Sequence, residues 1–460
     1  MLERYFKLSE RGTDVKTEAL AGLTTFMTMA YIIFVNPSIL KGAFLTAGTD
    51  TAPSHLVGSP DVTAAQVVGA LTIATCVAAA VGSILMAFWA NLPVALAPGM
   101  GMNAFFVALA IGDVQTPWRV KLGIVFLSGL IFLALSLVRF RETVMAAVPD
   151  AIKFGAAAGI GLFIAFIGLQ HAGIVTDHPI TLVTLGSLTS PPTLLALFGL
   201  AVTGGLLVRK VPGAILIGLF ATGILGILTG LVKGGGGFFQ IHSPLPIFLK
   251  LDIFGALSAA CVVPILTFLF FDLFDTVGTL MGVGEEAGLM VDGKLPDAEK
   301  ALAADAGASV VGSLFGTSTV TSYIESAAGV AAGGRTGLAS VVTGGLFILA
   351  IFLTPIAAIF GQAVVTAPAL IIVGYLMCGA LRKIEWSEPT EALPAFLTVI
   401  LMPATYSISG GLAAGFISYS LLKIVTGRAR EAHWIVHAVA WVFIAVYVVI
   451  RLVAGGGAPQ

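Results

Sequence analysis

Charge is scarce in this chain. Asp, Glu, Lys and Arg make up 10% of its 460 residues while 58% are hydrophobic, where a soluble domain carries about 25% charged residues. A water-soluble fold is thereby excluded. Cysteine is scarce too: Cys76, Cys261 and Cys378 lie far apart in apolar segments, which fits neither a disulfide framework nor a metal motif and leaves them as packing residues. The 23 basic and 24 acidic residues nearly cancel and form no basic stripe, so nucleic acid is not an expected partner. Lys233 and the four glycines after it lack the Walker pattern, which removes the usual sign of ATP use. Of the few histidines, His55, His171, His178 and His242 fall in expected outer loops. His433 and His437 share a helix face, a spacing compatible with a metal but commoner at a membrane interface. No metal or cofactor is expected.

What is present is apolar sequence. Stretches of roughly 18 residues or more recur from end to end, each near the ~20 that a bilayer-spanning helix needs. Spans are expected at 18–36, 62–90, 94–111, 118–138, 142–169, 192–208 and 212–231, then at 253–281, 300–314, 317–331, 336–353, 362–381, 389–407 and 409–426. A further apolar helix covers 433–453. The polar start, MLERYFKLSERGTDVKTEALAGL, has no signal-peptide pattern, and residues 1–17 are expected as a cytoplasmic lead-in. With that end inside, Arg139, Arg141, Arg209, Lys210, Arg335, Arg382, Lys383, Arg428 and Arg430 also fall inside. The outer loops at 170–191, 354–361 and 407–410 hold no Lys or Arg, as the positive-inside rule requires. Lys233 and Lys250 are exceptions.

The halves resemble each other. Residues 200–230 align without gaps to 397–427, matching Gly213 with Gly410, Gly218 with Gly415 and Thr229-Gly230 with Thr426-Gly427. Val81-Gly82-Ser83 likewise matches Val311-Gly312-Ser313. An odd number of spans per half makes the second copy inverted, an arrangement common in secondary transporters.

Three stretches break the oily pattern. FLFFDLFDTVGTLMGV, residues 268–283, sets Asp272, Asp275, Thr276 and Thr279 in one helical stripe, with Gly278 and Gly282 marking a thin face suited to close packing. A charge at bilayer depth costs on the order of 2.5–3.5 kcal/mol and usually faces a pathway or partner. A helix end in headgroup water is the plainer alternative. GTSTVTSYIESAAGVAAGG, residues 316–334, reads as a short strand through Thr317, Thr319 and Thr321 running into a small-residue helix near Glu325, with a solvated loop as the alternative. NLPVALAPGMGMNAFFVALA, residues 91–110, is broken by Pro93, Pro98, Gly99 and Gly101. A helix restarting near Met100 to Asn103 leaves unpaired N–H groups in the membrane interior, and Asn103 is either a ligand for a planar heterocycle or a local cap. The second and third of these stretches are the tenth and third spans, matching positions of two seven-span halves, which points to a midplane site.

Taken together, LPVALAPGMGMNAFF, FLFFDLFDTVGTLMGV and GTSTVTSYIESAAGVAAGGRTG resemble the AzgA-like purine permeases, a branch of the nucleobase/ascorbate transporter superfamily, and the likeness runs over essentially the whole chain. The resemblance implies an all-α polytopic membrane protein with fourteen spans in two inverted seven-span repeats. Its core domain would be spans 1–4 (18–138) and 8–11 (253–353), and its gate domain spans 5–7 (139–231) and 12–14 (362–426). It also implies proton-driven import of adenine, guanine or hypoxanthine across the cell membrane by elevator-like sliding, often in a homodimer, with the proton gradient in place of a cofactor. By motif, Asn103, Asp275 and Glu325 match the family's third-, eighth- and tenth-span polar residues. The expected substrate contacts are therefore Asp275, Glu325, Asn103, Gly101, Thr321 and Ser322, and the proton falls to Asp272, Asp275 or Glu325. The superfamily's Gln-Asn-x-Gly signature is absent and TSYIESAAG stands in its place, which argues against uracil, xanthine and ascorbate. The helix at 433–453 exceeds a fourteen-span count.

Two other functions compete. A sulfate-type anion transporter of similar architecture would want cations where these segments carry carboxylates. An intramembrane aspartyl protease would need two aspartates converging from separate segments, and lacks a Gly-x-Gly-Asp motif here.

Overall fold

The computed structural model describes residues 2–46, 55–111, 114–137, 148–232, 243–290, 295–353, 356 and 359–454. Arg139, Arg141, Lys233 and His242 lie outside them. Membrane burial leaves backbone groups no water to bond, so helices dominate. In chain order the main elements are α1 (Val15–Met29), α2 (Ile32–Phe44), α3 (Ala64–Trp89), β1 (Leu96–Pro98), α4 (Met100–Ala108), α5 (Trp118–Leu137), α6 (Asp150–His171), α7 (Pro191–Val208) and α8 (Ala214–Leu228). The second half follows with α9 (Val262–Glu286), α10 (Ala298–Phe315), β2 (Val320–Ser322), α11 (Ser326–Ala331), α12 (Gly337–Ala350), α13 (Ala363–Met377), α14 (Pro389–Ala404), α15 (Ile408–Val425) and α16 (Trp434–Ala454). Each expected span has a helix, or a strand and half-helix, in its place. The first is longer than expected: it runs 30 residues from Val15 to Phe44, divided at Ala30 and Tyr31.

Packing repeats with the two-fold pattern of an inverted duplication. Helix α3 packs on α12 as α10 packs on α5, and α1 meets α12 as α9 meets α5. The hairpin α7–α8 has its counterpart in α14–α15, while α6 against α13 and α3 against α10 are pairs that the symmetry maps onto themselves. One group of packed helices thus comprises α1–α5 with α9–α12, and a second comprises α6–α8 with α13–α15.

The hairpins show the duplication residue by residue. A side chain at Gly218 would collide with the Thr203 hydroxyl, and one at Gly415 with that of Thr398. Each threonine turns its hydroxyl back to the carbonyl four residues earlier, Gly199 and Pro394, at 2.7 and 2.8 Å. Both hairpins end alike, with Thr229 and Thr426 bonding back to Leu225 and Leu422 before Gly230 and Gly427 at φ 74° and 73°, a left-handed turn that glycine adopts freely. The gapless match holds in the second helix of each pair. In the first it slips by two residues, Thr203 standing opposite Thr398.

Helix α16 packs on α15, and ionic and imidazole contacts fasten the link between them. The Lys423 ammonium lies 3.0 Å from Glu391 and 3.2 Å from Glu431. Hydrogen bonds from Arg428 and Lys423 hold the Glu431 carboxyl below the usual glutamate range. His437 Nε2 donates to the Ala429 carbonyl at 3.1 Å, and Nδ1 lies 2.7 Å from the Ser420 hydroxyl.

Gly218→Ile and Gly415→Ile should each overpack a hairpin and cost about 1–3 kcal/mol or more. We expect both to lower the thermal midpoint of the detergent-solubilised protein by similar amounts. A large drop for one and none for the other would contradict the equivalence.

Candidate functional site

Two interrupted spans leave main-chain donors and acceptors bare in the membrane interior, and here they satisfy each other. Strands β1 and β2 pair antiparallel, Leu96 opposite Ser322, Ala97 opposite Thr321 and Pro98 opposite Val320. The ladder extends through Tyr323 N–H to the Ala95 carbonyl at 3.0 Å and Gly99 N–H to that of Thr319 at 2.9 Å. Pro98, which has no N–H, sits at the strand's last position.

Serines from the flanking helices clamp the outer edges. Ser83 Oγ accepts from Leu96 N–H at 3.0 Å and donates to its carbonyl at 3.3 Å. Ser309 does the same to Val320, at 3.0 and 2.8 Å. The two-fold that exchanges the strands maps Leu96 onto Val320, so Ser309 is the counterpart of Ser83. The sequence match to Ser313 is corrected accordingly: Ser313 donates to the Val310 carbonyl on its own helix.

Around this crossing the expected residues separate. Asp275 and Glu325 are partly accessible. Asp275 Oδ2 accepts a long hydrogen bond from Thr321, 3.4 Å, and Glu325 Oε1 accepts from the Tyr31 phenol at 2.7 Å. Glu325 stands close enough for its charge to act on Asp275. Asp272 is 1% exposed, and its Oδ2 lies 3.1 Å from Ser309 Oγ, sharing that hydroxyl's hydrogen with the Val320 carbonyl, so it belongs to the interior and not to the open side. Ser322 faces the same interior, donating to Asp305 Oδ1 at 3.0 Å. Asn103 is fully buried and its carbonyl accepts from Ser318, which ties the start of α4 to the segment before β2. Gly101 lies where α4 meets α6, and any side chain there would strike Ile160.

Gly278 and Gly282 do not make the close-packed face expected of them. A side chain at Gly278 would meet nothing within 4 Å, and at Gly282 only the tip of Ile324 at 3.5 Å. With Asp275 one turn earlier, they form an open face of α9.

Sequence reasoning missed Asp305, Tyr31 and Tyr323. Asp305 is fully buried in α10; its signal was a single acid within a span of alanine, glycine and serine. Tyr31 occupies the break in the first span. The Tyr323 hydroxyl donates to the Pro98 carbonyl at 2.5 Å, across the strands. Chemically, the arrangement offers two accessible carboxylate acceptors beside a rigid crossing. Among the described residues, the hydrogen-bond donors to Asp275 and Glu325 are Thr321 and Tyr31, neither of them a cation.

Residues 16–414 match a family model described as "Permease family". The chain belongs to that permease family. Its relatives include the guanine/hypoxanthine permease PbuG of Bacillus subtilis strain 168, 44% identical over 456 residues, covering 98% of this chain and all of that protein. The adenine permease AdeP of Escherichia coli K12 is 43% identical over 446 residues, 96% of this chain and 95% of that one. In three dimensions this permease is similar to the transmembrane domain of a cyanobacterial bicarbonate transporter, BicA, with a TM-score of 0.62 at 16% identity over 87% of this chain and 96% of that one. That likeness concerns the fold. The permease is thus a multi-pass membrane transporter and not a protease.

Each clamp serine bonds both polar groups of one buried residue. Removing either should leave those groups unpaired at about 1–3 kcal/mol. Ser83→Ala and Ser309→Ala should therefore lower the thermal midpoint in detergent, while Ser313→Ala changes it little. The reverse order for Ser309 and Ser313 would refute the assignment.

Proposed function

We propose that this permease imports purine nucleobases, guanine and hypoxanthine or adenine, by proton symport. The observation that carries the reading is the pair of accessible carboxylates, Asp275 and Glu325, beside the crossing of two broken spans. A purine presents N–H and amino donors along one edge, which carboxylates accept in strong charge-assisted hydrogen bonds, while phenol, hydroxyl and main-chain groups nearby suit its ring nitrogens and carbonyl. An anion would find no positive charge from the described partners of Asp275 and Glu325, which disfavours the anion-transporter reading despite the shared fold. PbuG and AdeP, named for purine bases, are 44% and 43% identical to this chain and support the same substrate class.

Asp275 and Glu325 act as substrate acceptors in this reading. Thr321 steadies Asp275 and Tyr31 steadies Glu325. Asn103 and Ser322 support the crossing from behind, and Gly101 keeps α4 thin where it passes α6. The helices packed as α1–α5 with α9–α12 are the core, and α6–α8 with α13–α15 are the gate. Sliding of one against the other carries the site from one face to the other. Protons drive accumulation because a carboxyl withdrawn from water takes up a proton more readily than one in water, so loading and release of substrate and proton are linked.

In proteoliposomes with an imposed proton gradient, the protein should accumulate labelled hypoxanthine or adenine and not labelled sulfate or bicarbonate, and an uncoupler should abolish accumulation. Asp275→Asn and Glu325→Gln each remove a charged acceptor worth about 1.5–3 kcal/mol and should cut apparent affinity by roughly tenfold to a hundredfold. Wild-type accumulation by both variants would overturn the site assignment. A panel of unlabelled bases competing with each label identifies the preferred purine.

A further inference from the structure

Behind the open site lies a second polar cluster that substrate does not reach. Asp272 on α9 and Asp305 on α10 are 1% and 0% exposed, and they lie near enough for each to act on the other. Each has one oxygen held by a serine, Asp272 Oδ2 by Ser309 at 3.1 Å and Asp305 Oδ1 by Ser322 at 3.0 Å. Among the described residues, neither Asp272 Oδ1 nor Asp305 Oδ2 meets a donor. Two ionised carboxylates so placed would repel without water to screen them. One proton turns them into a donor and an acceptor, as in other carboxyl pairs that ionise one at a time.

The cluster is wired to the open site. Asp275 Oδ2 is 3.4 Å from Thr321 Oγ1, which is 2.9 Å from Thr276 Oγ1, and Thr276 in turn lies beside Asp305. Alternation along β2 aims Thr321 at Asp275 and Ser322 at Asp305, so adjacent residues of one strand touch both ends of the path. Asp275 is the further carboxyl that lies near both members of the pair. Helices α3, α4 and α11 and both strands carry no charged residue, α9 and α10 hold Glu285, Glu286, Glu299 and Lys300 at their ends, and α5 brings Arg119 and Lys121 near its start. The Lys121 ammonium donates to the Val107 carbonyl at 2.8 Å.

We propose that Asp272 and Asp305 together hold one exchangeable proton, connected to Asp275 through the hydroxyls of Thr276 and Thr321, and that this is the proton moved with substrate. Protonated Asp305 donates to Thr276, Thr276 to Thr321 and Thr321 to Asp275. Passing each proton one place along leaves Asp305 ionised, Asp275 protonated and the hydroxyls reversed. The inference rests on the symport reading and names where its proton resides.

The test compares two transport modes of the full-length protein in proteoliposomes: hypoxanthine counterflow, which needs no net proton movement, and accumulation driven by an imposed pH gradient. Asp305→Asn and Thr276→Val should lose gradient-driven accumulation by about tenfold or more, far more than they lose counterflow, and flatten its pH profile. Infrared difference spectra of the wild-type protein should show a protonated carboxyl that titrates with pH and exchanges with deuterium, whether or not the variants fold. Wild-type-like accumulation in Asp305→Asn, or no titrating protonated carboxyl in the wild type, overturns the proposal. Failure of the wild type itself to use the gradient sinks the symport reading as well.

Discussion

A main chain inside a membrane must bond to itself, and in this permease that requirement is met by two broken spans from opposite halves. Pro93, Pro98, Gly99 and Gly101 prevent one span from remaining a continuous helix, and Gly316 with the threonines after it does the same for the other. The pairing of Leu96–Pro98 with Val320–Ser322 removes both deficits at once. Ser83 and Ser309 complete it at the outer edges, and Ser326 adds a further acceptor for Ala95 N–H at 3.0 Å. Without this crossing, neither half-helix would have a fixed start, and Asp275 and Glu325 would have no common place to face.

The crossing also explains how carboxylates in one apolar region take different surroundings. On α9, Asp272 and Asp275 are three residues apart, close to one turn, yet the first points between α9 and α10 and the second toward the open face with Gly278. Strand alternation repeats the division on the other side, with Thr321 toward Asp275 and Ser322 toward Asp305. The sealed acids are bonded by serines, while the accessible ones are bonded by a threonine and a tyrosine.

Much of this was legible from local pattern. Apolar runs near twenty residues located the helices, proline and glycine located both breaks, and the mismatch of carboxylates with their neighbours singled out Asp272 and Asp275, with the family resemblance favouring Asp275 of the two and adding weight to Glu325. What was not legible depends on contacts distant in sequence. Nothing near Ala97 says that it lies opposite Thr321, and Asp305 reads as one polar residue in a small-residue helix until Ser322 and Asp272 are brought to it. Gly278 and Gly282 have the spacing of a packing seam, and only their surroundings show an open face instead. Ser309 and Ser313 sit one turn apart on similar sequence, so the choice between them needed the strand. The two-residue slip at Thr203 and Thr398 is an offset that a gapless comparison cannot register.

The central claim is that the crossing of the two strands forms the substrate site. A structure of the protein in a lipid nanodisc with hypoxanthine or adenine bound tests it most directly. The account predicts a planar ligand beside Ala97 and Thr321, with Asp275 and Glu325 in hydrogen-bonding distance of its N–H edge. Ligand density elsewhere, such as the charged cavity of about 510 Å³ among Lys383, Glu388, Lys423 and Glu431, with none at the crossing, would contradict it.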